Sequence, residues 1–318
     1  MATTTSITTS YAGEHSGEFI SAALLSANTI AQGGITVKPN IKFKQVVSKL
    51  STDGLLRDGS CDFTATSEIT KAERILEPKS LQVNTQLCKA DFRDDWQAIE
   101  MGYSAHDVLP KTFADYLIGY MVSKVAEANE IALWQGDKST SGEFDGFETL
   151  LALDADLPAA NEITGTSAIS DASTVIDELG KIVDAIPTAL YSKEDLAIYV
   201  SQATYRAYVR ALGGFGANGL GANGYRGEGN NQSMGDLMFD GVKIFVANGM
   251  STNVAICAEK SNLFFGCGLL NDENQVKVLD MSDLDGSENC RFVMRMTAGV
   301  QYGNVEDIIT YGIVNGAN

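Results

Sequence analysis

The chain has 318 residues, 44% of them hydrophobic and 20% charged, which is enough apolar content to bury a full core across about two domains and excludes a disordered protein. Its net charge of -18 opposes general affinity for nucleic acid, because phosphate binding works by replacing counterions with Lys and Arg. No run of about 18 apolar residues occurs, and Met1 to Ser10 is Thr/Ser-rich with no basic start, so neither membrane insertion nor a standard secretion signal is expected.

Residues 1–36 read as an arm, polar at first and then carrying Phe19, Ile20, Leu24, Leu25 and Ile30 among Ala and Ser. So little apolar content cannot fold alone, and a neighbouring subunit is the expected support. From Ile35 to Cys88 the pattern turns to strands. Ile41, Phe43 and Gln45 alternate with Lys42, Lys44 and Val46, and Leu81, Val83, Thr85 and Leu87 alternate with Gln82, Asn84 and Gln86. Between them Thr52-Asp53-Gly54 and Arg57-Asp58-Gly59 supply turn chemistry. The reading is a long hairpin, either solvated or reaching an oppositely charged surface on another copy.

The strongest periodic signal follows. Phe113, Leu117, Tyr120, Met121, Val125, Ala128, Ile131 and Ala132 have the spacing of one helix face and predict a single helix over Phe113 to Trp134. Pro110 suits the first turn, Thr112 and Asp115 are candidate caps, and Gly136 is placed for a left-handed stop. Such a helix is a scaffold element, not a carrier of chemistry.

A second domain is expected from about Asn161. Ser170 or Asp171 caps a helix with Val175, Ile176, Leu179, Ile182, Val183 and Ile186 inward, ending at Pro187. A strand, Leu196 to Val200, then leads through a Ser201 cap into a helix ending at Leu212. This order makes an α+β layer. Residues 213–235 are Gly/Asn-rich, and short strands are predicted at Val242–Val246, Val254–Cys257, Val276–Leu279, Arg291–Thr297 and Val305–Thr310.

Catalytic and metal motifs occur only in incomplete form. Gly214-Phe215-Gly216-Ala217-Asn218-Gly219 spells a dinucleotide fingerprint, but it follows a helix instead of a strand and repeats at once as Gly221-Ala222-Asn223-Gly224, with Arg226 behind, so it reads as a loop. Asp280 to Gly286 resembles half a calcium loop, yet Met281 stands where the first ligand belongs and Phe292 where the bidentate Glu belongs. It reads as an acidic turn between strands, with weak cation binding left open. The five cysteines, Cys61, Cys88, Cys257, Cys267 and Cys290, lack a C-x-x-C pair and read as reduced thiols. His15 and His106 are the only histidines, and no H-E-x-x-H, G-x-S-x-G or Walker sequence appears. No cofactor and no catalytic residue is expected.

In the order of its elements, and in the phrase Asn129-Glu130-Ile131-Ala132-Leu133-Trp134-Gln135-Gly136-Asp137 followed by Phe144-Asp145-Gly146-Phe147, the sequence resembles the major capsid proteins of tailed bacteriophages, the Hong Kong 97 fold. Ile198 to Tyr205, Phe239 to Ile244 and residues 276–312 resemble later parts of that family. The resemblance implies an α+β capsid fold: an N-terminal arm at 1–36, an extended E-loop at 37–80, a peripheral domain at 81–160 with a spine helix at about 110–136, an axial domain at 161–275, and return strands of the peripheral domain at 276–318.

It also implies a homo-oligomeric shell of hexamers and pentamers, located in the virion and assembled in the host cytoplasm. The shell would enclose DNA without sequence-specific binding and without a membrane. Portal and scaffold or decoration proteins would be partners. Inter-subunit contacts would fall on Lys42, Lys44, Lys49, Arg57, Asp58 and Arg74. Gly214, Gly216, Gly219, Gly224 and Arg226 would lie on the loop at the symmetry axis. Some family members form a Lys–Asn isopeptide crosslink, for which Lys49 or Lys71 and Asn289 are the candidates here, with Glu288 or Glu306 near in sequence. With about 35 residues ahead of the first strands, no large cleaved pro-segment is expected. Two other readings stay open: the same fold as an encapsulin-like cellular shell, and a soluble nucleotide-binding α/β enzyme using residues 214–219.

Overall fold

The computed structural model describes residues 28–41, 43–52, 69–88, 111–191, 193–212, 237–268 and 277–316, with isolated positions at 56, 58 and 61. In chain order these form α1 (Asn28–Ala31), β1 (Thr36–Lys38), β2 (Gln45–Thr52), β3 (Ile69–Leu76), β4 (Lys79–Cys88), α2 (Lys111–Gln135), α3 (Phe147–Ala152), β5 (Glu162–Ile163), α4 (Val175–Asp184), β6 (Leu196–Val200) and α5 (Gln202–Ala211). They continue with β7 (Met238–Phe239), β8 (Val242–Val246), β9 (Ala255–Glu259), β10 (Leu263–Cys267), β11 (Lys277–Asp280), α6 (Ser282–Asp285), β12 (Asn289–Tyr302) and β13 (Ile309–Tyr311).

Three sheets result. The first is built on the 14-residue β12, whose one edge carries β4. Its other edge carries β11 at residues 290–293 and β10 at residues 298–302, and β1 adds in parallel beyond β10. The second is six-stranded, in the order β5-β13-β9-β6-β8-β7. The third is the antiparallel hairpin β2–β3 alone. The alternation expected for Leu81 to Leu87 holds: Leu81 and Leu87 are buried while Gln82, Asn84 and Gln86 are exposed. The strand expected at Ile41 to Gln45 begins only at Gln45, because Ile41 turns inward to a buried site while Phe43 is left exposed.

β6 is buried at every residue, as a strand covered on both faces must be. It runs parallel to β8 and antiparallel to β9. Its outgoing turn is capped as expected: the Ser201 hydroxyl accepts from the Thr204 backbone N–H, at 3.3 Å, to open α5. α4 is shorter than expected. It starts after Thr174, which makes no side-chain cap, and Ile176 faces solvent while Val175, Leu179, Ile182 and Val183 are buried. Ser170 and Asp171 lie in the preceding turns, where the Asp171 carboxylate accepts from Ser173.

Two strand assignments differ from the domain boundary expected at 275/276. β10, placed before that boundary, pairs with β12, whereas β13, placed after it, pairs with β9 and β5. The two sheets therefore exchange strands across it. The strand expected at Val305 to Thr310 is a 3-10 turn over Val305–Asp307 followed by β13. β10 itself was not anticipated, because Leu263-Phe264-Phe265-Gly266-Cys267 has no polar alternation to mark it.

The long helix spans 25 residues, Lys111–Gln135, so Thr112 and Asp115 stand inside it and not at its cap, and Pro110 lies outside the described residues. Gly136 follows as expected but not in a left-handed conformation. Glycine is required there for space: a Cβ would sit 2.2 Å from the Phe144 carbonyl oxygen and 2.5 Å from that of Ala132. The chain returns so closely that the Gly146 N–H donates to the Gly136 carbonyl at 2.8 Å. Among the described side chains of α2, those buried are in its last turns, at Glu130, Ala132, Leu133 and Trp134. Ala128 and Ile131, assigned to the inward face, are exposed, and Tyr120, Met121 and Val125 are half-buried. The side chains of Phe113 and Leu117 lie outside the described set.

Candidate functional site

The β2–β3 hairpin and the last turns of α2 are each tied to the rest of the chain by polar contacts. Four apolar side chains of the hairpin, Val46, Leu50, Ile69 and Ile75, are exposed, Leu50 by 69%. A two-stranded ribbon is at best marginally stable alone, so its position depends on its root. Arg74 of β3 supplies the central contact. Its guanidinium bonds Asp154 at 2.7 Å, lies 3.6 Å from Asp156, and stacks over the Tyr302 ring at 4.7 Å. Tyr302 donates its hydroxyl to the same Asp154 carboxylate at 2.5 Å, and Asn315 donates to the Asp154 carbonyl. Burial, and then the bond to Asp154, push the Tyr302 phenol well above its ordinary range, so it stays a donor. Lys49 pairs with Glu306 at 2.7 Å, Lys44 with Glu77 at 2.9 Å, and the Gln301 amide donates to the Ile75 carbonyl at 3.1 Å.

The second root joins the arm to α2. Glu130 is 2% exposed. It accepts from the Thr29 backbone N–H at 3.2 Å and from the Thr29 hydroxyl, while the Trp134 indole donates to the Thr29 hydroxyl at 3.1 Å. Burial raises the Glu130 carboxyl above the usual carboxylate range against the opposing pull of these hydrogen bonds. Glu148 is similar: burial raises it, and the Ser251 N–H and hydroxyl bond it at 2.9 and 2.6 Å. The Asn28 amide reaches the Val246 carbonyl, and the Tyr199 hydroxyl donates to that of Gly34. The end of the arm, from Asn28, is therefore held by its own chain, while residues 1–27, on which the rest of the expected subunit contact falls, lie outside the described residues.

Of the site residues named from the sequence, Lys44, Lys49 and Arg74 come together at the hairpin root, each paired within the chain. Asp58 is exposed, while Lys42 and Arg57 lie outside the described residues. Lys71 pairs with Glu73 on its own strand, and Asn289 opens β12 opposite Cys88. Lys49 and Asn289 thus stand at opposite ends of β12, and one chain does not bring them together. Gly214, Gly216, Gly219, Gly224 and Arg226, with His15 and His106, lie outside the described residues.

Asp280 to Gly286, expected as an acidic turn, instead ends β11 and forms the one-turn helix α6 closed by Gly286 in a left-handed conformation, with Asp280 accepting from Ser282 and Asp285 from Ser287. Among the described residues no group of three or more His, Cys, Asp or Glu is arranged to hold a metal, and no helix is long and apolar enough to cross a membrane. No disulfide joins the five cysteines, of which Cys257, Cys267 and Cys290 are buried and Cys61 is exposed. Sequence reading missed Asp154, Tyr302 and Gln301. Only Tyr302, an aromatic at the end of a long strand, gave any signal.

No protein-family model matches the chain, and no curated protein does. Solved structures do. A chain of the capsid of a native GTA particle superposes with a TM-score of 0.62 at 16% identity, covering 94% of each chain. The capsid structure of the cyanophage P-SCSP1u gives 0.56 at 15% identity over 95% of this chain and 92% of that one. The capsid of the myovirus XM1 gives 0.57 at 11% identity over 94% and 96%. Nearly the whole of this chain therefore has the mixed α+β fold of phage capsid subunits.

Proposed function

We propose that the chain is a major capsid protein, a structural subunit that self-assembles into the icosahedral shell of a bacteriophage and encloses its double-stranded DNA. The observation that carries this reading is end-to-end likeness to capsid subunits, with about 94% of both chains covered. A projecting apolar hairpin and a long helix with exposed Val122 and Ile131 fit it, since both are surfaces that neighbouring copies would cover. The role is structural and not catalytic.

In this reading β2 and β3 are the E-loop, α2 is the spine helix, the sheet on β12 forms the peripheral domain, and the six-stranded sheet forms the axial domain that meets its copies in hexamers and pentamers. Lys44, Lys49 and Arg74 orient the E-loop from within the chain, and Lys42, Arg57 and Asp58 are left to contact neighbouring copies. The loop of Gly214, Gly216, Gly219, Gly224 and Arg226 lies at the axis. Lys49 or Lys71 of one copy and Asn289 of another are the crosslink candidates, and a single monomer band from intact particles on a denaturing gel would rule the bond out. The net charge of -18 keeps the shell wall from trapping DNA as it is packed. Portal and scaffold or decoration proteins complete the particle, which is assembled in the host cytoplasm. The encapsulin and nucleotide-enzyme readings are not favoured, because the capsid likeness is to phage and GTA particles.

Sedimentation velocity of the purified protein tests the proposal. Discrete fast-sedimenting particles, or hexamers and pentamers, are expected. A monomer at all concentrations and ionic strengths, with a melting temperature that rises on adding nucleotide, would reject it.

A further inference from the structure

Four Asn–Gly pairs occur in the chain, at 218–219, 223–224, 248–249 and 315–316. The last two lie within the described residues, and they differ. At 248–249 glycine is required for space, since a Cβ on Gly249 would lie 2.0 Å from the Glu130 carbonyl oxygen. At 315–316 it is not: a Cβ on Gly316 would meet nothing within 4 Å, the backbone is not in the left-handed region, and the residue is exposed. Neither crowding nor conformation calls for glycine there. What the missing side chain leaves open is the Gly316 nitrogen itself, next in the chain to the amide of Asn315.

Asn315 is the opposite case, only 5% exposed. After β13 the chain passes the buried Ile313 and docks on the end of α3. The Asn315 side-chain amide donates to the Asp154 carbonyl at 2.6 Å, its backbone N–H to Glu162 Oε1 at 3.0 Å, and the Gly316 N–H to the Ala152 carbonyl at 3.0 Å. The turn they hold is the one that anchors the hairpin, because the Asp154 carboxylate bonds Arg74 of β3 and accepts from Tyr302. Asn315 and Arg74 thus hold the same residue, one by its carbonyl and the other by its carboxylate.

We infer that Asn315 is a self-modification site, at which deamidation through Gly316 unlocks this end of the chain and loosens the root of the hairpin. The Gly316 nitrogen gives up its proton and bonds to Asn315 Cγ, the Cγ–Nδ2 bond breaks, and ammonia carries the proton away. Water then opens the cyclic imide at either carbonyl, giving aspartate or isoaspartate. In the docked turn the step is blocked, because the Gly316 N–H and the Asn315 amide are tied to two separate carbonyls and the attack needs both released. Once converted, the turn does not reseat. A carboxylate oxygen would face the Asp154 carbonyl where an N–H donor stood, close to the Glu162 carboxylate, and a buried acceptor set against another acceptor is costly. The change runs one way, so each release of the turn that ends in conversion is passed on to Asp154, Arg74 and the hairpin.

Peptide mapping by mass spectrometry of the full chain, incubated in mildly alkaline buffer, measures the conversion. At Asn315 it is expected to be at least about tenfold faster in urea than in the native chain, since only the opened turn reacts. Glu162→Ala removes the acceptor of the Asn315 N–H and is expected to raise the native rate about fivefold, the change in opening that one lost hydrogen bond allows, with the rate in urea unchanged. Gly316→Ala is expected to slow conversion several-fold in urea and to leave the melting temperature at the wild-type value, because the added methyl group meets nothing. Amide hydrogen exchange at residues 152–156 and in β3 is expected to quicken in Asn315→Asp, and equally in the wild-type fraction that has converted, while α4 and β6 keep their protection. No conversion in urea, equal rates in urea and in the native chain, or unchanged exchange at β3 in the converted wild-type fraction would overturn the inference.

Discussion

The six-stranded sheet and the β2–β3 hairpin are built from the same kind of residue, yet only one of them is finished within a single chain. β6 is buried at every position and its sheet ends in two-residue edge strands, which offer little to a foreign strand. The hairpin has eight-residue strands, with no further strand on either edge among the described residues, and Val46, Leu50, Ile69 and Ile75 exposed. The first region is stabilised by its own core. The second is held in place by polar bonds at its root, and these apolar side chains stay exposed. α2 contains both behaviours in one element: Leu133 and Trp134 are fully buried, whereas Val122, Ala128 and Ile131 are exposed.

Substitutions on the two sides of this divide should separate stability from assembly. The largest stability effect is expected from Trp134→Ala, which empties a fully buried site against Phe147 and Tyr199 and should cost about 3–5 kcal/mol in urea unfolding. Gly249→Ala should follow, at about 1–3 kcal/mol, because its Cβ would lie 2.0 Å from the Glu130 carbonyl oxygen. Ser201→Ala removes the cap of α5 and should lower stability by about 1 kcal/mol.

A smaller effect is expected from Glu130, through pH. Its carboxyl is raised in the folded chain, so the folded state holds the proton more tightly than the unfolded state does. Its contribution is full below the ordinary carboxylate range and declines as pH rises through the raised value. Glu148 acts in the same direction, while Asp137, Asp171, Asp195, Glu178 and Asp285 are lowered and lose stability as pH falls. Glu130→Gln should therefore flatten part of the decline in urea midpoint between mildly acidic and neutral pH. An unchanged slope would remove the arm contact as its source. The smallest stability change belongs to Leu50→Ser, within about 0.5 kcal/mol for the isolated subunit because the site is exposed. The same variant should reduce particle yield. A large stability loss with normal assembly would erase the contrast between the two regions.

What the sequence revealed follows the same divide. The strong alternation of Leu81 to Leu87, the cap at Ser201 and the strand Leu196–Val200 were legible because local chemistry and tertiary burial agree there. The inward face of α2 was misread because periodicity marks an apolar stripe without saying how much of it is buried, and Ala128 and Ile131 of that stripe are exposed. Gly136 was placed correctly for the wrong reason, since a close chain return leaves the same residue as a left-handed turn. The hairpin root was largely invisible. Arg74, Asp154 and Tyr302 are far apart in sequence, and only the meeting of β3, the segment after α3 and the end of β12 brings them together. The exchange of β10 and β13 between sheets was hidden for the same reason.

Electron microscopy of the purified full-length protein tests the central claim most directly. Closed icosahedral shells or hexameric tiles are predicted, with the hairpin of each copy lying on a neighbour. Dispersed monomers under conditions in which the chain is folded, at any concentration and salt, would contradict it.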